Sequence, residues 1–548
     1  MSSDRSLADQ HLATEPVQYT ADSYESQNKH YTQQVARDDV HAIRRQALAE
    51  IDNAKFGWFH IKACLVAGVG FFTDSYDIFA INLCSLIMGY VYYADAQGSA
   101  KNTTPTKIDM WIKGSTQLGC IVGQLLFGYL SDRLGRKRIY GVELMIIIVC
   151  TIGGAFAGNT ARGLSVYWVL FIWRFVLGIG IGGDYPVSAV LTSEFATTKR
   201  RGAMIAAVFA MQGFGIVAAA IVAIIVLACF RSAIDNDQLM FDYTWRIIMG
   251  LGAVPGLVAL YFRLTIPETP RYTLDVEKNV HRAAYDVQNT IGFTAKDVDE
   301  SSTPLYQNTQ QSKSNKPTWS EFYNHFKHWK NFKVLMGTSI TWFALDVAFY
   351  GVNLNSSIIL TAIGFAGQGS PYHAVMKNAA GNIILNLLGT LPGYWVTVFT
   401  IDRIGRRTIQ FIGFTMLLIL FCILGFGYNK ILDHSVAAFV VLITLAQFFQ
   451  NFGPNTTTFI IPSEAFPTRF RSTCHGISAA SGKVGAVISQ LGFYQLKDKG
   501  GKNQFIGHLL QIFALFMLIG LIFTFFVPET RGKTLEELND EYEHEHNH

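Results

Sequence analysis

The sequence predicts an all-α polytopic membrane protein, with twelve transmembrane helices in two pseudo-symmetric six-helix halves. Three observations carry that prediction. The first is composition: 50% of the 548 residues are hydrophobic and 15% are charged, where a soluble domain carries about a quarter charged residues. The second is patterning. Apolar stretches of about 20 residues, enough to cross the hydrocarbon core of a bilayer, recur through residues 57–527. The third is an internal repeat: Asp132-Arg133-Leu134-Gly135-Arg136-Lys137 returns as Asp402-Arg403-Ile404-Gly405-Arg406-Arg407, and Ser193-Glu194-Phe195 as Ser463-Glu464-Ala465, both at one offset of 270 residues. Parallel six-span repeats mark transporters that rock two halves about a central site.

Taken in order, a polar tail occupies 1–56 and the first half 57–265, with spans at 57–92, 109–131, 137–158, 165–192, 202–230 and 244–265. A polar connection follows over 266–332, and its Ser/Gln/Asn-rich run 301–316 reads as a disordered linker. The second half, 333–527, holds spans at 333–363, 371–400, 408–428, 434–463, 472–496 and 503–527, before a hydrophilic, acidic tail over 528–548. Basic clusters after spans 2, 4, 8 and 10 (Arg133 to Arg138, Lys199 to Arg201, Arg403 to Arg407, Arg469 and Arg471) lie on one side, with both termini and the central connection. The positive-inside rule makes that side cytosolic. Lys497, Lys499 and Lys502 on the other side are a mild exception. Asn102-Thr103-Thr104 in the first outer loop is a sequon, used or unused.

The seven cysteines form no CxxC spacing or paired loop framework, so neither zinc nor structural disulfides are indicated. The polar N-terminus lacks the short apolar core of a removable signal peptide. No nucleotide loop, metal-ligand cluster or nucleophile–base pair is evident, so no enzyme, cofactor or nucleic-acid partner is expected. The glycines of 178–183 look at first like a dinucleotide loop, but that motif must follow a strand and open a soluble βαβ unit. Here they lie inside a span, followed by Asp184 and Pro186. An ionisable group at that depth is costly and by default functional.

Counting inward from the basic clusters, Asp184, Gln212, Asp346, Asn455 and Lys483 fall roughly 14–20 Å deep, near the middle of a core about 30 Å thick. Five groups from five spans thus share one level. Trp342, Asp346 and Tyr350 stand at i, i+4 and i+8 on one face of span 7. Asp74 and Asp77, at i and i+3, share a face of span 1 and are expected beside Asp184.

With these residues in view, the chain resembles the major facilitator superfamily. Gly128 to Lys137 (GYLSDRLGRK) matches its loop 2–3 signature, while Pro267-Glu268-Thr269-Pro270-Arg271 and Pro528 to Thr534 (PETRGKT) match its sugar-porter-like branch. Gly182-Gly183-Asp184-Tyr185-Pro186 with Ser193-Glu194, and Trp342 to Gly351 (WFALDVAFYG), look like the proton:phosphate symporters of fungi and plants. The loop motifs are superfamily-wide; those in spans 4 and 7 are specific. The resemblance covers roughly 57–535 and implies import of inorganic phosphate with protons across a plasma membrane. It also implies that Tyr185, Gln212, Trp342, Asp346, Tyr350 and Asn455 contact phosphate, with Lys483 close by.

The chemistry fits those assignments. Dihydrogen phosphate carries O–H donors and an ionised carboxylate only accepts, so Asp346 can receive a phosphate proton where sulfate would meet repulsion. Lys483 offsets the local charge. Buried carboxylates near one another favour protonation, which makes Asp184, with Asp74 or Asp77, the expected carrier of coupling protons. Asp132, Arg136, Glu194 and Arg201, with their copies Asp402, Arg406, Glu464 and Arg471, read as cytosolic latches of the inward-closed state. Three other functions compete: a glycerophosphodiester or other organophosphate symporter, a phosphate-sensing receptor, and a sugar symporter. The last would carry paired glutamines in span 7, where this chain has WFALDVAFYG.

Overall fold

The computed structural model describes residues 52, 56–94, 102–158, 165–265, 268–275, 318–366, 369–501 and 503–538. The linker run 301–316 and nearly all of the polar N-terminal tail lie outside the described residues. In the first half the spans are α1 (Trp58–Tyr92), α2 (Thr106–Leu134), α3 (Arg136–Ala155), α4 (Val166–Phe195), α5 (Arg201–Asn236) and α6 (Gln238–Thr265). In the second they are α7 (Trp329–Asn353), α8 (Pro371–Ile404), α9 (Arg406–Phe426), α10 (Val436–Ala465), α11 (Arg471–Leu496) and α12 (Ile506–Phe526). Among the described residues, ten helices are long and apolar enough to cross a membrane on composition alone. The other two spans, α2 and α11, are too rich in Gly, Ser and charge to qualify, because they pack on each other. A Cβ at Gly128 would sit 2.7 Å from the Ser472 carbonyl oxygen, and one at Gly476 would sit 2.3 Å from that of Gln124. Small residues bring these backbones into contact where lipid never reaches.

The same logic explains the glycine run of α4. A Cβ at Gly178 would lie 2.1 Å from the Thr116 oxygen and one at Gly182 2.5 Å from that of Cys120. These glycines are the contact surface for α2, and the helix continues through Pro186 to Phe195.

Several spans are longer or less regular than the sequence predicts. Span 7 starts at Trp329, inside the stretch assigned to the central connection, and the short helix Trp319–Phe326 precedes it. Thr318 and Glu321 cap that short helix reciprocally, a Thr-x-x-Glu signature that was there to be read. Phe326 then packs with Phe466 and Phe470. A π-helical turn, Asn386–Thr390, interrupts α8, and α10 breaks at Phe452 and Gly453. Beyond Val527 the chain stays docked as far as Leu538, with Leu535 and Leu538 buried.

Candidate substrate and proton sites

At mid-depth, between the halves, α7 and α11 hold the buried pair that centres the site. Lys483 Nζ donates to Asp346 Oδ2 at 3.0 Å and to Tyr350 Oη at 2.8 Å. It also lies over the rings of Tyr185 (5.0 Å) and Tyr350 (4.4 Å), a cation–π arrangement. Glycine at 482 makes the approach possible, since a Cβ there would fall 2.5 Å from Trp342 and 2.9 Å from Asp346 Oδ2. Gln212 Nε2 donates to Tyr185 Oη at 3.0 Å, and Asn455 Nδ2 donates to Tyr394 Oη at 2.8 Å. Tyr394 Oη in turn donates to Gln212 Oε1 at 3.3 Å. All seven expected residues are buried in this neighbourhood. Tyr394, which joins Gln212 to Asn455, was missed, because α8 carries no charge at that level to mark it.

Aromatic rings close the site on both sides. Toward the face bearing the basic loops, Phe209 stacks on Phe459 at 4.3 Å, and Phe71 meets Phe459 and Tyr185 edge-on at 5.2 Å each. His475 packs edge-on against Trp342 and Phe459 in the same layer. Toward the opposite face Phe79 lies parallel to the Tyr350 ring, 6.0 Å away.

A second charged cluster belongs wholly to the first half. Asp184 Oδ2 accepts from Arg263 Nη2 at 2.6 Å, and Glu143 Oε1 lies 3.6 Å from Arg263 Nη1. Gly70 leaves the room for this pair, because a Cβ there would overlap Arg263 and Asp184. Asp74 stands within electrostatic reach of Asp184, Arg263 and Glu143, and neither of its buried oxygens has a hydrogen-bond partner. Arg263 was not anticipated. It sits near the end of α6, where a basic residue reads as an ordinary flanking charge.

Asp77 corrects the expectation that both span 1 carboxylates adjoin Asp184. It accepts from Thr151 Oγ1 at 2.5 Å, and its backbone carbonyl accepts from Arg174. Three residues on a helix diverge by about 60° and advance about 4.5 Å, which turns Asp77 toward Thr151 and Arg174, still within electrostatic reach of Asp74 but not beside Asp184.

On the basic face the repeated motifs interlock. Arg136 contacts Asp132 (3.3 Å) and Glu194 (3.2 Å), and Arg406 contacts Asp402 (3.0 Å) and Glu464 (3.0 Å). The remaining two arginines cross over: Arg471 of the second half reaches Glu194 at 3.1 Å, and Arg201 of the first reaches Glu464 at 2.9 Å. Asp132 further accepts from the backbone N–H groups of Ser472 and Thr473. At the opposite face an unanticipated group joins the halves: Asp109 accepts from Ser85, Tyr494 and Lys113, the last at 3.0 Å. Asn102 Oδ1 accepts from Gln238 Nε2 at 2.9 Å.

The family described as "Sugar (and other) transporter" matches residues 63–542. The chain belongs to this family. It is 45% identical to the repressible high-affinity phosphate permease of Neurospora crassa over 96% of this chain and 94% of that one. It is also 48% identical to the inorganic phosphate transporter PHO84 of Saccharomyces cerevisiae over 92% of this chain and 88% of that one. The fold of this transporter family member matches the proton:xylose symporter XylE, a major facilitator protein, with a TM-score of 0.66 at 21% identity. That match covers 88% of this chain and 99% of XylE.

Proposed function

We infer that this protein is a proton-coupled symporter that imports inorganic phosphate by alternating access across the plasma membrane, with both termini in the cytosol. The observation that carries the substrate is the Lys483–Asp346 pair set among hydroxyl and amide groups at the junction of the halves. The relatives named as phosphate carriers support the same reading.

Phosphate enters from the outer side and takes over Lys483, whose ammonium now faces an anion as well as Asp346. Tyr185, Gln212, Trp342, Tyr350 and Asn455 supply neutral polar contacts, and Asp346 accepts a hydrogen bond from a phosphate O–H. Moving the anion inward against an inside-negative potential costs about 2.3 kcal/mol per charge per 100 mV, so protons must accompany it. Asp184 and Asp74 are the carriers this arrangement favours. Asp74 buries both oxygens unpartnered, where a bare carboxylate is far less favourable than the neutral acid. The crossed ion pairs of Arg471 with Glu194 and Arg201 with Glu464 latch the cytosolic face, and their release opens the way inward.

Purified protein in liposomes, given an imposed proton gradient, tests substrate and coupling together. Phosphate accumulation that collapses with a protonophore is expected. Accumulation that ignores the proton gradient removes the symport reading, and preferential uptake of a glycerophosphodiester replaces phosphate as the substrate.

A further inference from the structure

Outward of the Phe79–Tyr350 contact lies a small cavity at the seam between the halves, lined by Phe79 and Asn82 of α1, Ile216 of α5, Asn353 of α7, and Asn382 and Asn386 of α8. Four asparagines around one intramembrane cavity need a reason, since polar side chains there are costly and by default functional. Helix cross-linking accounts for few of their hydrogen bonds. Asn353 Nδ2 donates to Phe349 O (2.8 Å), Asn382 Nδ2 to Asn378 O (2.9 Å) and Asn386 Nδ2 to Asn382 O (2.7 Å). Each therefore spends one amide hydrogen on its own helix and has a second to give. Asn82 Nδ2 donates to Ser356 Oγ at 2.6 Å, and Ser356 Oγ donates to Asn382 Oδ1 at 2.6 Å. Asn82 Oδ1 is buried with no partner.

We propose that this cavity is a second, transient binding site for dihydrogen phosphate, occupied on the way to Lys483. The proposal rests on the phosphate reading above. Amide N–H groups suit the oxygens of the anion, and the lone Asn82 carbonyl suits one of its O–H groups. No charged side chain lines the cavity, so the ligand is held weakly enough to move on, as conduction requires.

The polar face of α8 extends the argument. Asn378, Asn382, Asn386, Thr390 and Tyr394 follow at every fourth residue, and so form one stripe along the helix. The stripe ends on Tyr394, which bonds Gln212 and Asn455. Its inner part runs through the π-helical turn Asn386–Thr390, a feature frequent at functional sites. The cavity is bounded by α1 and α5 on one side and by α7 and α8 on the other, so rocking of the halves changes its size. In the present closed state it encloses about 20 Å³, room for about one water. Phosphate occupies it only when the outer face opens, and Phe79 with Tyr350 forms the floor it must pass.

The test compares wild type with Asn353→Leu and Asn386→Leu in proteoliposomes, in both directions of transport. The KM for external phosphate should rise about five-fold while the maximal rate stays within about two-fold. Efflux of preloaded phosphate should keep its KM and lose maximal rate by a like factor, because the two directions share one equilibrium, and Asn353→Ser, which restores a donor, should recover part of the loss. An equal rise of KM in both directions would assign the asparagines to helix packing and overturn the proposal, as would no change at all. Wild-type vesicles that take up no phosphate would remove the transport reading itself, whereas wild-type uptake with unmoved variants removes only the outer site. Should the variants not fold, wild-type protein crystallised with its outer face open and soaked in arsenate, with diffraction at the arsenic edge, decides. A second peak among Asn82, Asn353 and Asn382 is expected, and a peak at Lys483 alone refutes it.

Discussion

The two halves descend from one repeated pattern yet bury charge in different proportions. In the first, Asp74, Asp184 and Glu143 gather around the single guanidinium of Arg263. In the second, one carboxylate faces one ammonium, Asp346 with Lys483. A cluster with surplus carboxylates is relieved by taking up protons. A balanced pair tolerates an arriving anion that shares the cation. The repeat makes the divergence local: Asp184-Tyr185 in α4 is answered at the same offset by Pro454-Asn455 in α10. Both partners of the second position, Tyr185 and Asn455, face the proposed substrate site, whereas the carboxylate has no counterpart. On the proposed assignment, both halves keep a substrate-facing position and only the first carries the proton position.

That contrast breaks most visibly at Asp184. Asp184→Asn should lower uphill phosphate accumulation on the order of 100-fold while leaving binding to the purified protein measurable. Intact acid-stimulated accumulation in that variant would end the proposed division of labour. Asp346→Asn probes the balanced pair and should weaken uptake about tenfold, the scale of one hydrogen bond to a charged group. It should also narrow the preference for phosphate over sulfate, and competition assays with an unchanged ratio would deny Asp346 its discriminating role.

A smaller effect is expected at the crossed latches. Arg201→Met and Arg471→Met each remove the arginine that crosses between the halves, but Glu464 keeps Arg406 and Glu194 keeps Arg136, so each crossing lost should cost about 1 kcal/mol. Because the two crossings are equivalent under the repeat, both variants should expose cytosolic-side reporter cysteines to a similar degree. Exposure in one variant alone would show that the halves do not share the latch equally.

The smallest effect concerns pH outside the bilayer. Burial pushes the Glu536 carboxyl up, but the Arg271 and Arg471 guanidinium groups pull it further down, so it titrates below the ordinary glutamate range. A carboxyl lowered in the folded state contributes stability that is complete above its unfolded value and is lost as pH falls through its folded value. Hydrogen exchange over 528–538 should therefore stay slow from neutral pH down through the ordinary glutamate range and quicken only below it. Glu536→Gln should remove that dependence.

Most of the architecture was legible because it is written locally. Basic residues at alternate connections fix which loops share a face, and Trp342, Asp346 and Tyr350 declare their common face by spacing alone. Small residues in α2 and α11 let their backbones pack together, at the expense of the hydropathy signal. The candidate site was legible wherever a charge or a family motif marked it. Tyr394 lacked both, and so did the asparagine stripe of α8, whose members look individually like capping or packing residues.

The sequence by itself determined the number of spans, the repeat, the side of the basic loops, and the residue types at the centre. All of these follow from burial preference and periodicity, which act along the chain. Only the tertiary structure decided the partners: Arg263 on Asp184, Arg201 on Glu464, Arg471 on Glu194, and Thr151 on Asp77. An ion pair forms between the groups that helix packing brings within about 4 Å, and that choice depends on helices far apart in sequence.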